Sequence, residues 1–259
     1  MTTVCMSETT LHFYDPMAPW YHLIFDDWDS SIDRQARVLN TLIASRLGAG
    51  PLNVLDCACG IGTQAIGFAR HGHRVTASDL SANAVTRAKC ESEARGLTIA
   101  FHVDDMASLA EVIATNFDVV AALDNALPHL SRERLHEAVR AMGTKLRPGG
   151  LVLASTRDYD TLIRERPTVQ DPTFYGRSPS RRIVHQVWDW IDNERYAVHH
   201  YITMQSPEGW ASHHFASVYR CVQRAELTSA LESAGFHNIE WLMPAESAYF
   251  QPLVVAAKI

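Results

Sequence analysis

The stretch Val54-Leu55-Asp56-Cys57-Ala58-Cys59-Gly60-Ile61-Gly62-Thr63-Gln64 decides how the rest of the chain is read. LNVLD (52–56) is a short apolar run of the kind that forms a strand buried on both faces, and the residues after Gly62 read as a helix ending near Gly72. A glycine-rich turn between the two lets a ligand approach the backbone closely. Gly60 and Gly62 with Ala65 formally satisfy the dinucleotide fingerprint G-x-G-x-x-A. Asp56 argues against that use of it. A carboxylate at the strand end repels a pyrophosphate seated on the helix N-terminus, whereas it attracts an ammonium and favours a sulfonium. The competing reading of Asp56 is a turn cap on the following amides.

The same logic applies to the next two strand ends. RVTASD (74–79) ends in Asp79, where a carboxylate can accept the two hydroxyls of a ribose, and Ser81 caps a helix running to about Arg95. TIAFHV (98–103) is followed by Asp104-Asp105-Met106, with Asp105 placed to take an adenine amino group and Met106 to cover the ring. An amino acid, a ribose and an adenine along three consecutive strand ends describe S-adenosylmethionine. A nicotinamide oxidoreductase shares Asp79, but Asp56 and the roughly fifty residues before the fingerprint disfavour it.

Alternation continues through a helix over 107–115, the strand FDVVAAL (117–123), a Ser131-capped helix and the strand LVLAST (151–156). Strict alternation predicts an α/β fold with a doubly wound, mostly parallel seven-stranded sheet. After residue 180 the pattern changes to three long strand-like runs, RIVHQVWDW, RYAVHHYITM and WASHHFASVYR, an antiparallel meander inserted after strand five. A helix over 224–234 and strands near 237–243 and 253–258 return to the main sheet. The expected units are therefore 1–50 (a lid and a helix), 51–178 (the cofactor-binding core), 179–222 (the meander on the substrate side) and 223–259 (completing the sheet). Within the first unit, 11–29 is aromatic and broken by Pro16 and Pro19, which suits a lid better than a regular element. The helix that follows carries Ile32, Ala36, Leu39, Ile43 and Leu47 on one face, with Ser30 or Ser31 as its cap.

Composition limits the partners. With 259 residues, 47% hydrophobic and 20% charged, the chain can bury a large core, and a net charge of −6 gives no field for a nucleic acid or an anionic membrane. No apolar run approaches the roughly 18 residues of a membrane span, and no basic start leads into an apolar core, so a cytoplasmic protein is expected. Five cysteines without paired C-x-x-C spacing read as free thiols, and no metal is expected from the 13 histidines. The expected partner is a small molecule, with a homodimer left open.

VLDCACGIG, SDLS, DDM, FDVVAALDNALPHL and LRPGG together resemble the class I S-adenosylmethionine-dependent methyltransferases. Most members have glycine where this chain has Ala58. That departure, with Asn125, His129 and Thr156-Arg157-Asp158-Tyr159-Asp160, is similar to the glycine/sarcosine N-methyltransferase branch. The resemblance implies Tyr21 and Arg34 over the methionine end of the cofactor, Arg157 on a substrate carboxylate and Tyr219 near the transferring methyl. Ala58, Gln64, Leu80, Leu123 and His129, with Trp28 from the aromatic segment, complete the cofactor set; Tyr14, Tyr159 and Trp188 are assigned to the substrate and Asn125 to catalysis. Arg157 is also a substrate candidate by position, since a guanidinium past strand five matches a carboxylate bidentately; a salt bridge to Asp158 or Asp160 is its competing role. The aromatics of the meander serve packing at least in part. The sequence shows no unmistakable general base, which favours methyl transfer to nitrogen of an amino acid or small N-heterocycle over O-methylation of a secondary metabolite.

Overall fold

The computed structural model describes residues 6–259. Helix α1 (Met6–Met17) and a 3-10 turn (Tyr21–Ile24) lead into α2 (Trp28–Leu47). Then come β1 (Asn53–Asp56), α3 (Thr63–Arg70), β2 (Arg74–Asp79), α4 (Ala82–Ala94), β3 (Ala100–Val103) and β4 (Phe117–Ala122). A second 3-10 turn (Leu127–His129) precedes α5 (Arg132–Lys145), β5 (Leu146–Ser155) and α6 (Tyr159–Glu165). The meander is β6 (Val169–Tyr175), β7 (Arg182–Trp190), β8 (Arg195–Ser206) and β9 (Gly209–Arg220). The chain ends with α7 (Arg224–Ser233), β10 (Phe236–Leu242), α8 (Pro244–Ser247) and β11 (Leu253–Lys258).

Among the described residues the strands make two sheets. The larger has the order β10-β11-β5-β4-β1-β2-β3, parallel except for β11, which runs antiparallel to both of its neighbours. The doubly wound expectation holds, and so does the insertion after β5. Alternation of side chains across the strands divides the core in two: Leu55, Val120, Val152 and Val254 pack under α5 and α7, whereas Val54, Val119, Leu153 and Val255 pack under α2 and α3. Ser81 and Ser131 cap α4 and α5 as expected, accepting from the Ala84 and Arg134 amides at 3.0 and 3.3 Å.

Four expectations need correction. Residues 11–29 are not irregular throughout: α1 extends through Pro16 because Phe13 and Met17 bury against Val184, Ile202 and Phe215 of the second sheet. Tertiary packing outweighs the proline, which sits in the final turn. The cap of α2 is Asp27, accepting from the Ser30 amide at 2.6 Å, and neither Ser30 nor Ser31 fills that role. No helix forms over 107–115, because the buried Asp104 carboxylate takes the Glu111 and Val112 amides at 2.9 and 3.1 Å and folds the segment back, with Leu109 at φ 50°. Finally, the meander has four strands, since β6 pairs antiparallel with β7. Its exposed sequence VQDPTFY, interrupted by Pro172, gave no apolar alternation to read.

Candidate active site

A cavity of about 350 Å³ opens at the carboxyl ends of β1 to β4 and is roofed by α1 and the first 3-10 turn. Eleven of the residues assigned from sequence line it: Tyr14 and Tyr21 from the roof; Ala58, Gly60 and Gln64 from the first turn; Asp79, Leu80, Asp105 and Met106 past β2 and β3; Leu123 and His129 past β4. Each local fold has a cause. Gly60 takes φ +52° and Gly62 φ +96°, which lets the chain leave β1 sharply and enter α3. An added side-chain carbon at Gly62 meets Ala88 and Ile66 at 3.2 Å, whereas at Gly60 it meets nothing within 4 Å. The backbone at Gly60 is therefore bare toward open space.

Asp79 ties the turn to β2, accepting from the Gly60 amide at 2.8 Å and from the Ser81 amide at 2.9 Å. Burial raises its carboxyl above the ordinary range, against the pull of those amides. Asp104 and Asp105 divide, but Asp104 is a buried fold anchor and not the solvated charge expected of one of the pair, while Asp105 lines the cavity, accepts from the Ala107 amide at 2.9 Å and pairs with Arg134.

Asp56 lies beneath the turn, 1% exposed. One oxygen accepts weakly from the Ala58 amide at 3.5 Å and the other has no partner, so turn capping accounts for little of it. Burial pushes this carboxyl up to about 7. His129 is buried as well; its Nε2 lies 3.0 Å from the Tyr14 hydroxyl, and burial pulls the imidazole down to about 3, so it is neutral. Its Nδ1 has no partner, and its ring stands 4.4 Å from that of Tyr219.

The other assigned residues lie behind the cavity wall. Gly62 is packed into the turn, and Trp28 is buried with its indole N–H donating to Thr63 at 2.9 Å. Arg34 is exposed on α2 and donates to Ser31 at 3.1 Å. Asn125, at φ 64°, accepts from the Arg157 amide and the Tyr159 hydroxyl, both at 3.0 Å, and its Nδ2 is buried without a partner. Arg157 stacks 4.6 Å over Trp188 and donates to the Tyr196 hydroxyl and to Gln186, each at 3.0 Å. Asp158 and Asp160 pair instead with Arg224, at 2.7 and 3.2 Å, which removes the salt bridge as the explanation for Arg157. Tyr159, Trp188 and Tyr219 belong to one buried aromatic cluster with Tyr196.

Because the partners of Arg157 are neutral, Arg157→Met should melt within about 1 kcal/mol of the wild type. Arg157→Ala, which leaves a void under Trp188 that methionine fills, should lose about 2–4 kcal/mol. Thermal denaturation of the two variants separates a charge retained for function from one needed for folding. A Met variant as unstable as the Ala variant would assign Arg157 to the fold.

Sequence reasoning missed several lining residues, among them Thr63, Arg134 and Asp124. Only Asp124 had a signal: it is the carboxylate at the end of the fourth strand, placed as Asp56, Asp79 and Asp105 are on theirs.

The sheet order with its added four-stranded sheet is a fold shared with solved methyltransferase structures. Residues 54–150 match the family described as a methyltransferase domain. A ubiquinone biosynthesis O-methyltransferase from Methylocella silvestris is 37% identical over 105 residues, 40% of each chain. A glycine/sarcosine N-methyltransferase from Parasynechococcus marenigrum is 30% identical over 142 residues, 53% of this chain and 50% of the other. The matches thus span half or less of these two relatives. Among solved structures, CalS10, an amino pentose methyltransferase from Micromonospora echinaspora with S-adenosylmethionine bound, shares the fold at TM-score 0.72 and 18% identity, over 88% of this chain and 92% of that one. No helix among the described residues is long and apolar enough to cross a membrane.

Proposed function

We propose that the chain is an S-adenosylmethionine-dependent methyltransferase acting on the nitrogen of a small molecule. The observation that carries this reading is the pair of carboxylates past β2 and β3, Asp79 and Asp105, along one cavity beside a turn whose backbone is bare at Gly60, with Asp56 buried beneath that turn. The residues suit the cofactor: the unpartnered oxygen of buried Asp56 calls for a cation, and Asp79 and Asp105 are acceptors for ribose and adenine. Tyr21, Leu123 and Met106 line the same cavity, where the first two would close the methionine end and Met106 would cover the ring plane. When bound, the cofactor supplies an electrophilic methyl on a sulfonium. The chain aligns the acceptor, excludes water under the α1 roof and offers neutral His129 and Tyr14 for hydrogen bonds. The acceptor's lone pair forms the new bond to the methyl carbon as the carbon–sulfur bond breaks, its electrons remaining on sulfur.

The likeness to a glycine/sarcosine N-methyltransferase and the fold shared with an amino pentose methyltransferase support nitrogen. O-methylation is the second reading, favoured by the ubiquinone biosynthesis O-methyltransferase relative and by the His129–Tyr14 pair as a route for a hydroxyl proton. Asp79→Ala is the test of the cofactor site. Calorimetry with S-adenosylhomocysteine should show binding weakened by about 1–3 kcal/mol, since ribose hydroxyls lose a charged acceptor. Unchanged affinity in a folded variant removes Asp79 from the ribose site.

A further inference from the structure

The cofactor reading uses the ends of β1, β2 and β3, but the cavity also reaches the end of β4, on the far side of β1 from β2. The residue there is Asp124, which lines the cavity and which that reading leaves without a role. Asp124 and Asn125 are consecutive non-glycine residues in the left-handed region, φ 53° and 64°. They are held there by the Asp124 amide donating to Ser155 Oγ at 2.8 Å and the Asn125 amide donating to the Ser155 carbonyl at 3.2 Å. Backbone of this kind is costly and persists where surrounding contacts enforce it.

Neutral groups are the hydrogen-bond partners of the carboxylate. Tyr21 donates its hydroxyl to Oδ2 at 3.0 Å, and Gln251 Nε2 reaches Oδ1 at 3.5 Å. No ion pair within 4.0 Å among the described residues includes Asp124. The titratable groups facing it are Tyr14 from α1, Tyr21 from the 3-10 turn, Tyr219 from β9, Tyr249 before β11 and, as the cation, Arg157 after β5, with neutral His129 beside Tyr14. Burial raises the Asp124 carboxyl, while the Tyr21 hydrogen bond and the Arg157 charge pull it back. Arg157 is committed to Tyr196, Gln186 and the face of Trp188. A buried carboxylate among tyrosine hydroxyls, without its own counter-ion, is the complement of an ammonium.

We propose that Asp124 is the acceptor-binding group of this cavity, holding the protonated nitrogen of a cationic amine and taking its proton. The proposal rests on the methyltransferase reading. In this step the N–H bond breaks, its electrons stay on nitrogen as the lone pair, and the proton forms an O–H bond with the Asp124 carboxylate. The neutral amine is then the nucleophile, and Asp124 returns its proton to solvent when product leaves. Catalysis thus begins from the charged form in which small amines exist at neutral pH. An alcohol or phenol can hydrogen-bond the same carboxylate but brings no positive charge for it to pair with.

The test uses the wild-type protein and Asp124→Asn, each saturated with S-adenosylhomocysteine, titrated at pH 8 with protonated N-methylbenzylamine and with benzyl methyl ether, its uncharged analogue. The ammonium should bind wild type roughly 10- to 100-fold tighter than the ether, and the preference should vanish in Asp124→Asn while S-adenosylhomocysteine affinity stays within about threefold. Equal binding of the two probes to wild type, or no binding of either, overturns the proposal without any variant. So does a preference that survives in Asp124→Asn. If the variant loses S-adenosylhomocysteine affinity instead, Asp124 serves the cofactor's own ammonium and the assignment is wrong. Failure of wild type to bind S-adenosylhomocysteine at all sinks the methyltransferase reading itself, which distinguishes the two failures.

Discussion

Asp56→Asn is expected to make the ligand-free protein more stable above pH 7 and a poorer binder of S-adenosylhomocysteine. Burial holds the Asp56 carboxyl at about 7 in the folded protein, above its ordinary value near 3.8. Below about pH 4 it is protonated in both folded and unfolded chains and contributes nothing. As pH rises from about 4 to 7 the unfolded chain releases a proton that the folded chain keeps, so stability falls, and above 7 the full cost is about 4 kcal/mol. Asparagine cannot ionise and escapes this cost. Its amide nitrogen inherits the position of an oxygen that has no partner, which returns about 1–3 kcal/mol. The net gain above pH 7 is about 1–3 kcal/mol, or several degrees in melting temperature, and near pH 4, where only the cost of the unpartnered amide remains, the variant should instead melt below the wild type. Binding moves the other way: the ligand's ammonium loses a buried anion, and affinity for S-adenosylhomocysteine should fall roughly 10- to 100-fold. Melting curves at pH 4, 6 and 8 with calorimetry at pH 8 check both halves. A variant that melts no higher than wild type at pH 8 would show that Asp56 is already paired or solvated in the free protein.

The same carboxylate explains why so much of the site was legible beforehand. Strand ends are found from apolar runs, and a carboxylate just past such a run has few structural uses, so Asp56, Asp79 and Asp105 could be read one strand at a time. The capping serines and the parallel order followed from local chemistry in the same way. What was hidden depends on contacts distant in sequence. Helix α1 exists because Phe13 and Met17 meet β-strand residues about 170 to 200 positions away, which no window around Pro16 reveals. The loop over 107–115 looked helical because Leu109 and Val112 are buried, and only the reach of Asp104 back to two amides prevents a helix. Arg157 shows the opposite limit. Its position was right, but the direction of a long side chain is set by whichever partners the fold supplies, here Trp188 and Tyr196. Asp124 was passed over beside Asn125, although the strand-end logic applied to it equally.

Gly60→Val should abolish measurable S-adenosylhomocysteine binding while leaving the protein folded. At φ +52° this residue is in the left-handed region, which costs a β-branched side chain about 1–3 kcal/mol. That cost falls on stability, not on binding, and a protein of ordinary stability survives it. Nothing in the protein opposes the new atoms, since a side-chain carbon at Gly60 meets no heavy atom within 4 Å. Gly60 lines the cavity, so the isopropyl group is expected to take space that a cofactor pressed against the turn would use. It also strains the Gly60 amide away from Asp79, to which it donates at 2.8 Å, disturbing the ribose acceptor. Loss of contact on both counts should weaken binding by more than about 3 kcal/mol, or over 100-fold. Gly72→Val is the control: its φ of +83° imposes comparable strain, an added carbon there is equally free of neighbours, and the residue lies outside the cavity. The two variants should melt alike, and only Gly60→Val should lose the ligand. Equal calorimetric affinities for Gly60→Val and Gly72→Val would mean that the turn after β1 is not where the cofactor lies, and the reading of the site from Val54 to Gln64 would have to be abandoned.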